Sequence, residues 1–523
     1  MSPTRIGIVV LVLLITASMA CNFPFAGSGP AAPAGPVQPP DAPSPTAAAV
    51  PTPAYEPRFE PAACQFAIPP GTAPECGYLV VPEDRAVLGG PVVRLHVARF
   101  RSTAAQPQPD PVIHLSGGPG SPSLEYAVYY FNYGMGGVLS GRDYIIFDQR
   151  GTGFSLPGLH CPERVEIVPA LLGGIDYDGQ LALEVEAAAA CRDRLQAQGI
   201  DLAAYTSAAS AADVNDLRRV FGYEQVNLYG VSYGSRLALT IMRDYPATLR
   251  SVILDSPYPP QVNLYTSWPS SAQRAFDALF DACAADPGCS AAYPNLEEEF
   301  YALVDRLNAD PPVVRVTDPV TNTVHEVILT GGVFMDVIFV GLYPPFFIPQ
   351  VPRLIDEVRS GQYDGLLPAR LQLNFARNSS VGMRNSVQCA EEIPFGSYQD
   401  VVDASLGLQP QVREHFVRSM ASMFAICEVW GVPPLPPLEN EPVSSVVPTL
   451  ILTGQLDPIT PPEWGRLAAQ TLPAAYVYEF PGTGHWQMRS GSCPLQIGMA
   501  FLQNPYQPPD TGCIAGMGSP AFR

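Results

Sequence analysis

Short apolar segments alternate with amphipathic ones along most of the chain. Val92–Arg99 alternates apolar and polar positions, as a half-exposed strand does. Ala212–Phe221 places its apolar residues at helical spacing and is followed by Gly222, a residue that often ends helices. Other short apolar runs are typical of buried parallel strands: Pro111–Leu115, Tyr144–Phe147, Gln225–Tyr229, Ser251–Leu254 and Thr449–Leu452. Strands that alternate with helices predict an α/β fold with a mostly parallel, doubly wound sheet.

The connection between the last two of these strands is unusually long. It spans about 190 residues, and such a length predicts an inserted helical cap rather than a loop. We therefore divide the globular part into a first core segment (62–256), a cap (257–447) and a second core segment (448–523). Within the cap, Val333–Val351 is strongly aromatic and apolar. It is interpreted as cap core, with the lining of a pocket as the alternative.

The N-terminus has the pattern of an export signal. An apolar run of ten residues (6–15) follows Arg5 and leads into small residues, which predicts a signal peptide over 1–20. Cys21 stands directly behind it, in a stretch that resembles a bacterial lipobox, and would carry the lipid. Residues 21–61 are rich in Pro and Ala and predict a disordered tether. The protein is therefore expected to be exported as a cell-surface lipoprotein, or otherwise secreted.

Composition and charge exclude several classes of function. The chain has 523 residues, 47% of them hydrophobic and 15% charged, as in a globular enzyme. Its formal charge of −20, without any basic run, argues against nucleic acid as a partner. The membrane is expected to be contacted only through the lipid anchor, and the oligomeric state stays open. The histidines are scattered and no cysteines have zinc-site spacing, so neither a metal nor another cofactor is expected.

Cysteine parity supports export. Without Cys21, ten cysteines remain, an even number that suits disulfides in an oxidising compartment. Counting does not fix the pairing, although short separations favour local bridges between Cys64 and Cys76 and between Cys283 and Cys289.

The strongest chemical motif is Gly230-Val231-Ser232-Tyr233-Gly234. It lies between a predicted strand and a helix predicted over Ser235–Arg243, which is the setting of a G-x-S-x-G nucleophile elbow. In such an elbow the serine occupies a strained turn, and the glycines allow close packing of the backbone. Ser232 is the predicted nucleophile, and the amide of Tyr233 is a predicted oxyanion donor.

A serine nucleophile needs an acid and a base, which in this arrangement follow it along the chain. Asp457 comes just after a buried strand, and His485 follows a strand-like segment, Ala475–Phe480, in a glycine-containing loop. Asp255 also ends a predicted strand and is the rival acid, but Asp457 is preferred for its loop and its spacing to the histidine. A second oxyanion donor is expected in the Gly/Pro loop Ser116–Gly120.

Three motifs together resemble a known family. Leu115-Ser-Gly-Gly-Pro-Gly120, Asp148-Gln-Arg-Gly-Thr-Gly-Phe-Ser155 and the Gly230–Gly234 elbow are similar to segments of the prolyl iminopeptidases and secreted tripeptidyl aminopeptidases of the α/β-hydrolase fold. The cysteines, aspartate loop and Gly-His pair of the C-terminal region extend the similarity over about residues 62–515. Ser116 stands where the iminopeptidase motif, H-G-G-P-G, has its histidine, so the broader secreted branch fits better.

The resemblance implies roles and bonds for particular residues. Ser232, Asp457 and His485 would form the triad, and the amides of Gly118 and Tyr233 would bind the oxyanion. Asp148 and Arg150 would brace the loops beneath the site. The implied disulfides are sequential: Cys64–Cys76, Cys161–Cys191, Cys283–Cys289, Cys389–Cys427 and Cys493–Cys513.

The function that follows is that of an exported serine aminopeptidase, of tripeptidyl type in the relatives, acting on peptides through an acyl-enzyme. Such an enzyme must recognise a free α-ammonium group, and Glu391 and Glu392 in the cap are candidates for it; the alternative is a solvated acidic pair. The competing functions are a carboxylesterase or lipase with the same triad, and a non-catalytic binding lipoprotein.

Overall fold

The computed structural model describes residues 55–87, 89–317, 322–365 and 379–522. The predicted signal peptide, Cys21 and most of the predicted tether lie outside these ranges.

Nine strands form one sheet in the order β1-β2-β3-β5-β4-β6-β7-β10-β11 within the described residues. The pairs from β5 through β4, β6, β7 and β10 to β11 are parallel, whereas β1, β2, β3 and β5 pair antiparallel. The strands are β1 Arg58–Pro61, β2 Glu75–Pro82, β3 Val92–Phe100, β4 Val112–Leu115, β5 Tyr144–Phe147, β6 Val226–Val231, β7 Leu249–Asp255, β10 Thr449–Gly454 and β11 Ala475–Phe480. The predicted mostly parallel sheet is present.

Helices cover both faces of this sheet, and its central strands are therefore buried on both sides. One face packs against α5 (Ser207–Val220), α6 (Tyr233–Asp244) and α15 (Pro462–Ala469). The other packs against α1 (Ala127–Asn132) and α16 (Ser492–Gln503). This double layer places the carboxyl ends of β6, β10 and β11 at one edge, where ligands bind in such sheets.

The long connection between β7 and β10 is an insertion built mainly of helices. It contains α7 Leu264–Ala285, α8 Pro287–Ala292, α9 Leu296–Ala309, the hairpin of β8 (Val313–Thr317) and β9 (Val324–Ile328), α10 Gly331–Gly341, α11 Val351–Arg359, α12 Val381–Glu391, α13 Tyr398–Ala404 and α14 Pro410–Trp430. The hydrophobic cluster of the insertion also includes residues of the segment before β6. That segment contains α2 Pro162–Glu166, α3 Val168–Leu172 and α4 Tyr177–Ala197.

Each of the two interpretations of the aromatic stretch Val333–Val351, cap core and pocket lining, holds for part of it. Phe334, Val337 and Ile338 of α10 are buried in the cluster that fills the insertion. Tyr343, just after α10, lines the cavity described below. No helix within the described ranges combines the length and apolarity that a membrane span requires.

Among the described residues five disulfides are formed, in the pairing that the resemblance implies. They join Cys64 to Cys76, Cys161 to Cys191, Cys283 to Cys289, Cys389 to Cys427 and Cys493 to Cys513. This set is consistent with an exported protein, because such bonds persist in oxidising compartments.

Candidate active site

Ser232 occupies the turn between β6 and α6. Its φ of 56° is positive, which is rare for a residue with a side chain and matches the strained turn of a nucleophile elbow. A Cβ at Gly234 would overlap the carbonyl of Leu115, and one at Gly230 would overlap the carbonyl of Gly234. Both glycines are thus required by close backbone contacts, as the motif predicted.

The amide of Tyr233 opens α6. The first amides of a helix have no partner within the helix, so this N–H group is free to bind a negative charge beside Ser232. The Tyr233 side chain is buried, and its hydroxyl is 2.8 Å from that of Ser207, which leaves the backbone amide as the part of Tyr233 that serves the site.

Asp457 and His485 meet at the carboxyl edge of the sheet. The Nδ1 atom of His485 is 2.8 Å from Oδ2 of Asp457, and both side chains are buried. Burial opposes ionisation of Asp457, but His485 and the hydrogen bonds from Thr460 outweigh this effect and lower the pKa of the carboxyl group. In the described part of the chain no hydrogen bond joins Ser232 to His485; catalytic bonds of this kind are often long before substrate binds.

Thr460 is a residue of this site that the sequence did not reveal. Its hydroxyl donates to Oδ2 of Asp457 at 2.8 Å and lies 3.2 Å from Nδ1 of His485. Its amide donates to the other carboxylate oxygen at 2.9 Å. Thr460 therefore holds the acid and touches the base; its spacing, three residues after Asp457, is the signal that could have found it.

Asp255, the rival acid, supports the histidine loop instead. Its carboxylate accepts from the amides of Gln487 and Met488, and the neighbouring Ser256 hydroxyl accepts from the amide of Trp486 at 2.8 Å. Burial raises the pKa of Asp255 to about 6. The three amides that follow His485 are thus anchored at the end of β7.

The loop after β4 lies against the nucleophile. Gly117 is so close that a Cβ there would lie 3.0 Å from the Cβ of Ser232. Gly118 has a φ of 114°, in the region that favours glycine, and lines the same cavity as Ser232. The structure thus brings the predicted oxyanion loop to the nucleophile.

Asp148 and Arg150 brace the surrounding loops from within. The Asp148 carboxylate accepts from the amides of Ser123, Leu124 and Phe154, and burial raises its pKa to about 6. The Arg150 guanidinium binds Asp213 through two hydrogen bonds of 2.8 and 2.7 Å. Neither residue lines the cavity.

A cavity of about 810 Å³ opens at this edge of the sheet, and residues of the insertion form part of its lining. Ser232, His485 and Thr460 lie in its wall on the sheet side. The wall that α2, α4 and the insertion form carries polar side chains: Arg164, Glu184, Tyr265, Arg384, Asn385, Gln388, Ser419 and Ser422. Such a volume accommodates a short peptide segment.

Three parts of the site are bonded directly to the insertion. The amide of Ser380 donates to the carbonyl of Gly120 at 2.9 Å, which holds the loop after β4. The amide of His485 donates to the carbonyl of Tyr343, also at 2.9 Å. Arg236 of α6 forms an ion pair of 2.7 Å with Glu392.

Comparisons with known proteins identify the fold and the class of enzyme. Residues 110–312 match the alpha/beta hydrolase fold model, and residues 413–513 match the model of TAP-like proteins. Serine protease Hip1 of Mycobacterium tuberculosis is 26% identical over 470 residues, which cover 85% of this chain and 88% of that protein. The tripeptidyl aminopeptidase of Streptomyces lividans is 30% identical over 191 residues, 35% of each chain. The chain is a serine peptidase with the α/β-hydrolase fold. The predicted fold class and enzyme class are confirmed.

A solved structure was also matched, the proline iminopeptidase of Mycobacterium smegmatis. It is 16% identical, with a TM-score of 0.35, over 83% of this chain and 94% of that one. This similarity is too low to bear on the activity.

In this serine peptidase, Glu391 and Glu392 do not face the cavity. Both side chains are buried, and both are directed at Arg236, with Glu391 also accepting from the amide and hydroxyl of Ser207. Because they face Arg236 and Ser207 inside the protein and not the cavity, the expectation that they capture a substrate ammonium group is wrong, and so is the alternative of a solvated pair. They lie one helical turn beyond Gln388, the last residue of α12 in the cavity wall.

The described residues contain one grouping with the geometry of a metal site, formed by Cys161, Glu163 and Cys191. Both cysteine sulfurs are joined in a disulfide, so this grouping is explained by the bond itself.

Proposed function

We propose that the protein is an exported serine exopeptidase that removes short segments from the free N-terminus of peptides. The observation that carries this proposal is the hydrogen-bonded Asp457–His485 pair, whose histidine lines the same cavity as Ser232. The similar proteins include a protease and an aminopeptidase, which supports it. Attachment to the cell surface through a lipid on Cys21 is part of the same proposal and rests on the sequence of the N-terminus.

The mechanism follows from the roles that these groups can take. Ser232 Oγ attacks the scissile carbonyl while His485 removes its proton, and Asp457 holds the imidazole and stabilises its charged form. The amides of Gly118 and Tyr233 bind the oxyanion. His485 then protonates the leaving amine, and water releases the acyl group by the same route. No cofactor takes part in these steps.

Glu184 replaces Glu391 and Glu392 as the candidate partner of the α-ammonium group. It is the one carboxylate among the described residues that line the cavity, and only 8% of it is exposed. Asn385 lies in the same wall, fully buried, and neither of its side-chain amide atoms has a partner in the described structure. An unpaired amide in this position suits the donor and acceptor groups of a peptide main chain.

The test uses the full-length exported protein and chromogenic amides of one, two and three residues. Each amide is prepared with a free and with a blocked N-terminus, and a short-chain ester is included, with Ser232→Ala as the inactive control. Turnover of free-amine amides that blocking abolishes supports the proposal, and the best length gives the number of residues released. Ester turnover without amide cleavage would make the protein an esterase instead.

Glu184→Gln tests the ammonium site separately. We expect KM for the best free-amine amide to rise about ten-fold, because a charge-assisted hydrogen bond is lost. Glu186→Gln is the matched control, since Glu186 lies on the same helix and is exposed. Equal KM values for the two variants would refute the role of Glu184.

A further inference from the structure

The charge of the cavity differs in sign from that of the whole protein. Among the described residues that line it, three arginines, Arg164, Arg384 and Arg489, stand against one carboxylate, Glu184. The chain as a whole carries a formal charge of −20. A cleft lined by charges of one sign concentrates ligands of the other sign, so the cavity favours a substrate that bears negative charge.

Two of the three guanidinium groups already have partners. Arg164 is 3.2 Å from the carboxylate of Glu184. Arg489 donates to the hydroxyl of Tyr129 at 2.7 Å, and its guanidinium carbon lies 4.4 Å from the centre of the Trp486 ring.

Arg384 differs from both. Its guanidinium forms no hydrogen bond or ion pair with any residue that the structure describes, and its Nε atom, like that of Arg489, is buried without a partner. An unpaired charge with a buried donor is costly inside a protein unless a ligand supplies the missing acceptor.

Helical spacing directs Arg384 into the cavity. Val381, Arg384, Asn385 and Gln388 follow the i, i+3, i+4, i+7 pattern of one helix face, and all four line the cavity. Arg164 lies near Arg384: burial lowers the pKa of Arg164, and the positive charge of Arg384 lowers it further against the opposing effect of Glu184. This wall therefore carries two guanidinium groups and one carboxylate, and among the described residues the carboxylate is paired with Arg164 alone.

We propose that Arg384, assisted by Arg164, forms a subsite for a carboxylate carried by the N-terminal segment of the substrate. The inference rests on the proposed function, and it names the substrate class: peptides with an aspartate or glutamate side chain upstream of the scissile bond. Glu184 would take the α-ammonium group while Arg384 takes the acidic side chain, so that the wall matches both charges of such a segment.

The first experiment compares matched substrates on the unmodified protein. Free-amine tri-alanyl p-nitroanilide is prepared with glutamate or glutamine at each of its three positions in turn. At one position we expect kcat/KM to be about ten-fold higher for glutamate than for its glutamine twin, because a charge-assisted contact replaces a neutral one. Equal or lower values for glutamate at every position would overturn the proposal.

Substitution then assigns the preference to its residue. In Arg384→Gln the glutamate-to-glutamine ratio should fall towards one, whereas Arg384→Lys should keep part of it. Arg418→Gln is the control for lost charge, because Arg418 pairs with Glu414 on the outside of α14 and its side chain is 52% exposed. A ratio that survives in Arg384→Gln, or falls equally in Arg418→Gln, would refute the assignment. Fluorophosphonate labelling of Ser232 verifies that each variant has a folded site.

A binding measurement separates this inference from the proposed function. If no amide is cleaved, the peptidase proposal fails, but the subsite is still measurable by protection of Ser232 from fluorophosphonate labelling. Tripeptide amides with glutamate should protect at about ten-fold lower concentration than their glutamine twins. Equal protection by the two would reject the carboxylate subsite whatever the reaction.

Discussion

Thr460 joins the acid and the base of the site through one hydroxyl group. Thr460→Val keeps the shape of the side chain and removes this hydroxyl. We expect kcat to fall about ten-fold with little change in KM, because a hydrogen bond to a carboxylate is worth about 1.5 kcal/mol or more. Steady-state kinetics on the best peptide amide measure the effect. Thr460→Ser should restore most of the activity, and failure to do so would point to packing instead.

Substitution of Asp457 should mainly affect catalysis, whereas substitution of Asp255 should mainly affect stability. Asp457→Asn should lower kcat by about three orders of magnitude or more, because the imidazole loses the partner that fixes its tautomer. Asp255→Asn should mainly lower the free energy of unfolding, by about 1–3 kcal/mol, because an amide group then faces the amides of Gln487 and Met488.

Turnover and chemical denaturation of both aspartate variants distinguish these outcomes. A greater loss of kcat in Asp255→Asn than in Asp457→Asn would restore the rival assignment of the acid.

At the scale of elements, the Cys389–Cys427 disulfide fastens α12 to α14, two walls of the cavity. Replacing both cysteines by alanine should lower the free energy of unfolding by about 4 kcal/mol, as loop-closure entropy gives for a separation of 38 residues. KM should rise as well, because α12 carries Arg384 and Asn385. Denaturant titration and kinetics measure both quantities.

The matched control removes the Cys64–Cys76 bond, which lies at the antiparallel edge of the sheet. There we expect a loss of about 3 kcal/mol for a separation of 12 residues, with KM unchanged. A rise in KM of the same size in both variants would mean that general loosening, and not the position of α12, controls substrate binding.

Elements were predictable where the signal is local. Short apolar runs in the sequence predicted the parallel strands, and β5 and β11 have the predicted bounds. By contrast, β1 has four residues, two of them charged, and exists only because it pairs with β2. Pairing of this kind depends on distant residues and leaves no periodic pattern.

The residues of the site were likewise predictable only where the signal is local. The motif around Ser232 and the loops of Asp457 and His485 were found because each has its own side-chain signature. Asp255 was taken only for a rival acid, since the two backbone amides that it binds lie more than 230 positions away, and such donors have no signature in a sequence. For Glu391, the pattern showed a charge but could not show how deeply its helix lies.

At the scale of the whole molecule, Glu391 links stability to pH. Burial raises its pKa from 4.5 to about 7. Between these values the folded protein keeps a proton that the unfolded chain has lost, so this group makes the free energy of unfolding fall as the pH rises from about 4.5 to 7. Glu391→Gln should therefore show a shallower fall over this window.

Denaturant melts at pH 5, 6 and 8 measure the effect of Glu391→Gln, with the exposed Glu186→Gln as control. Part of the fall should persist, because Asp148 and Asp255 also have pKa values raised to about 6 by burial. Identical slopes for Glu391→Gln and the unsubstituted protein would contradict the linkage.

The bonds from Gly120, His485 and Arg236 to the insertion have a consequence for how such enzymes diverge. The insertion lines the substrate cavity, and it also holds the oxyanion loop, the catalytic histidine and the helix that follows the nucleophile. A change in the insertion therefore alters substrate preference and catalytic rate together. An insertion transplanted from a relative would import a new preference together with a misaligned site. Evolution and engineering are therefore expected to change the preference by single substitutions on the cavity face of α12, and not by exchange of the segment.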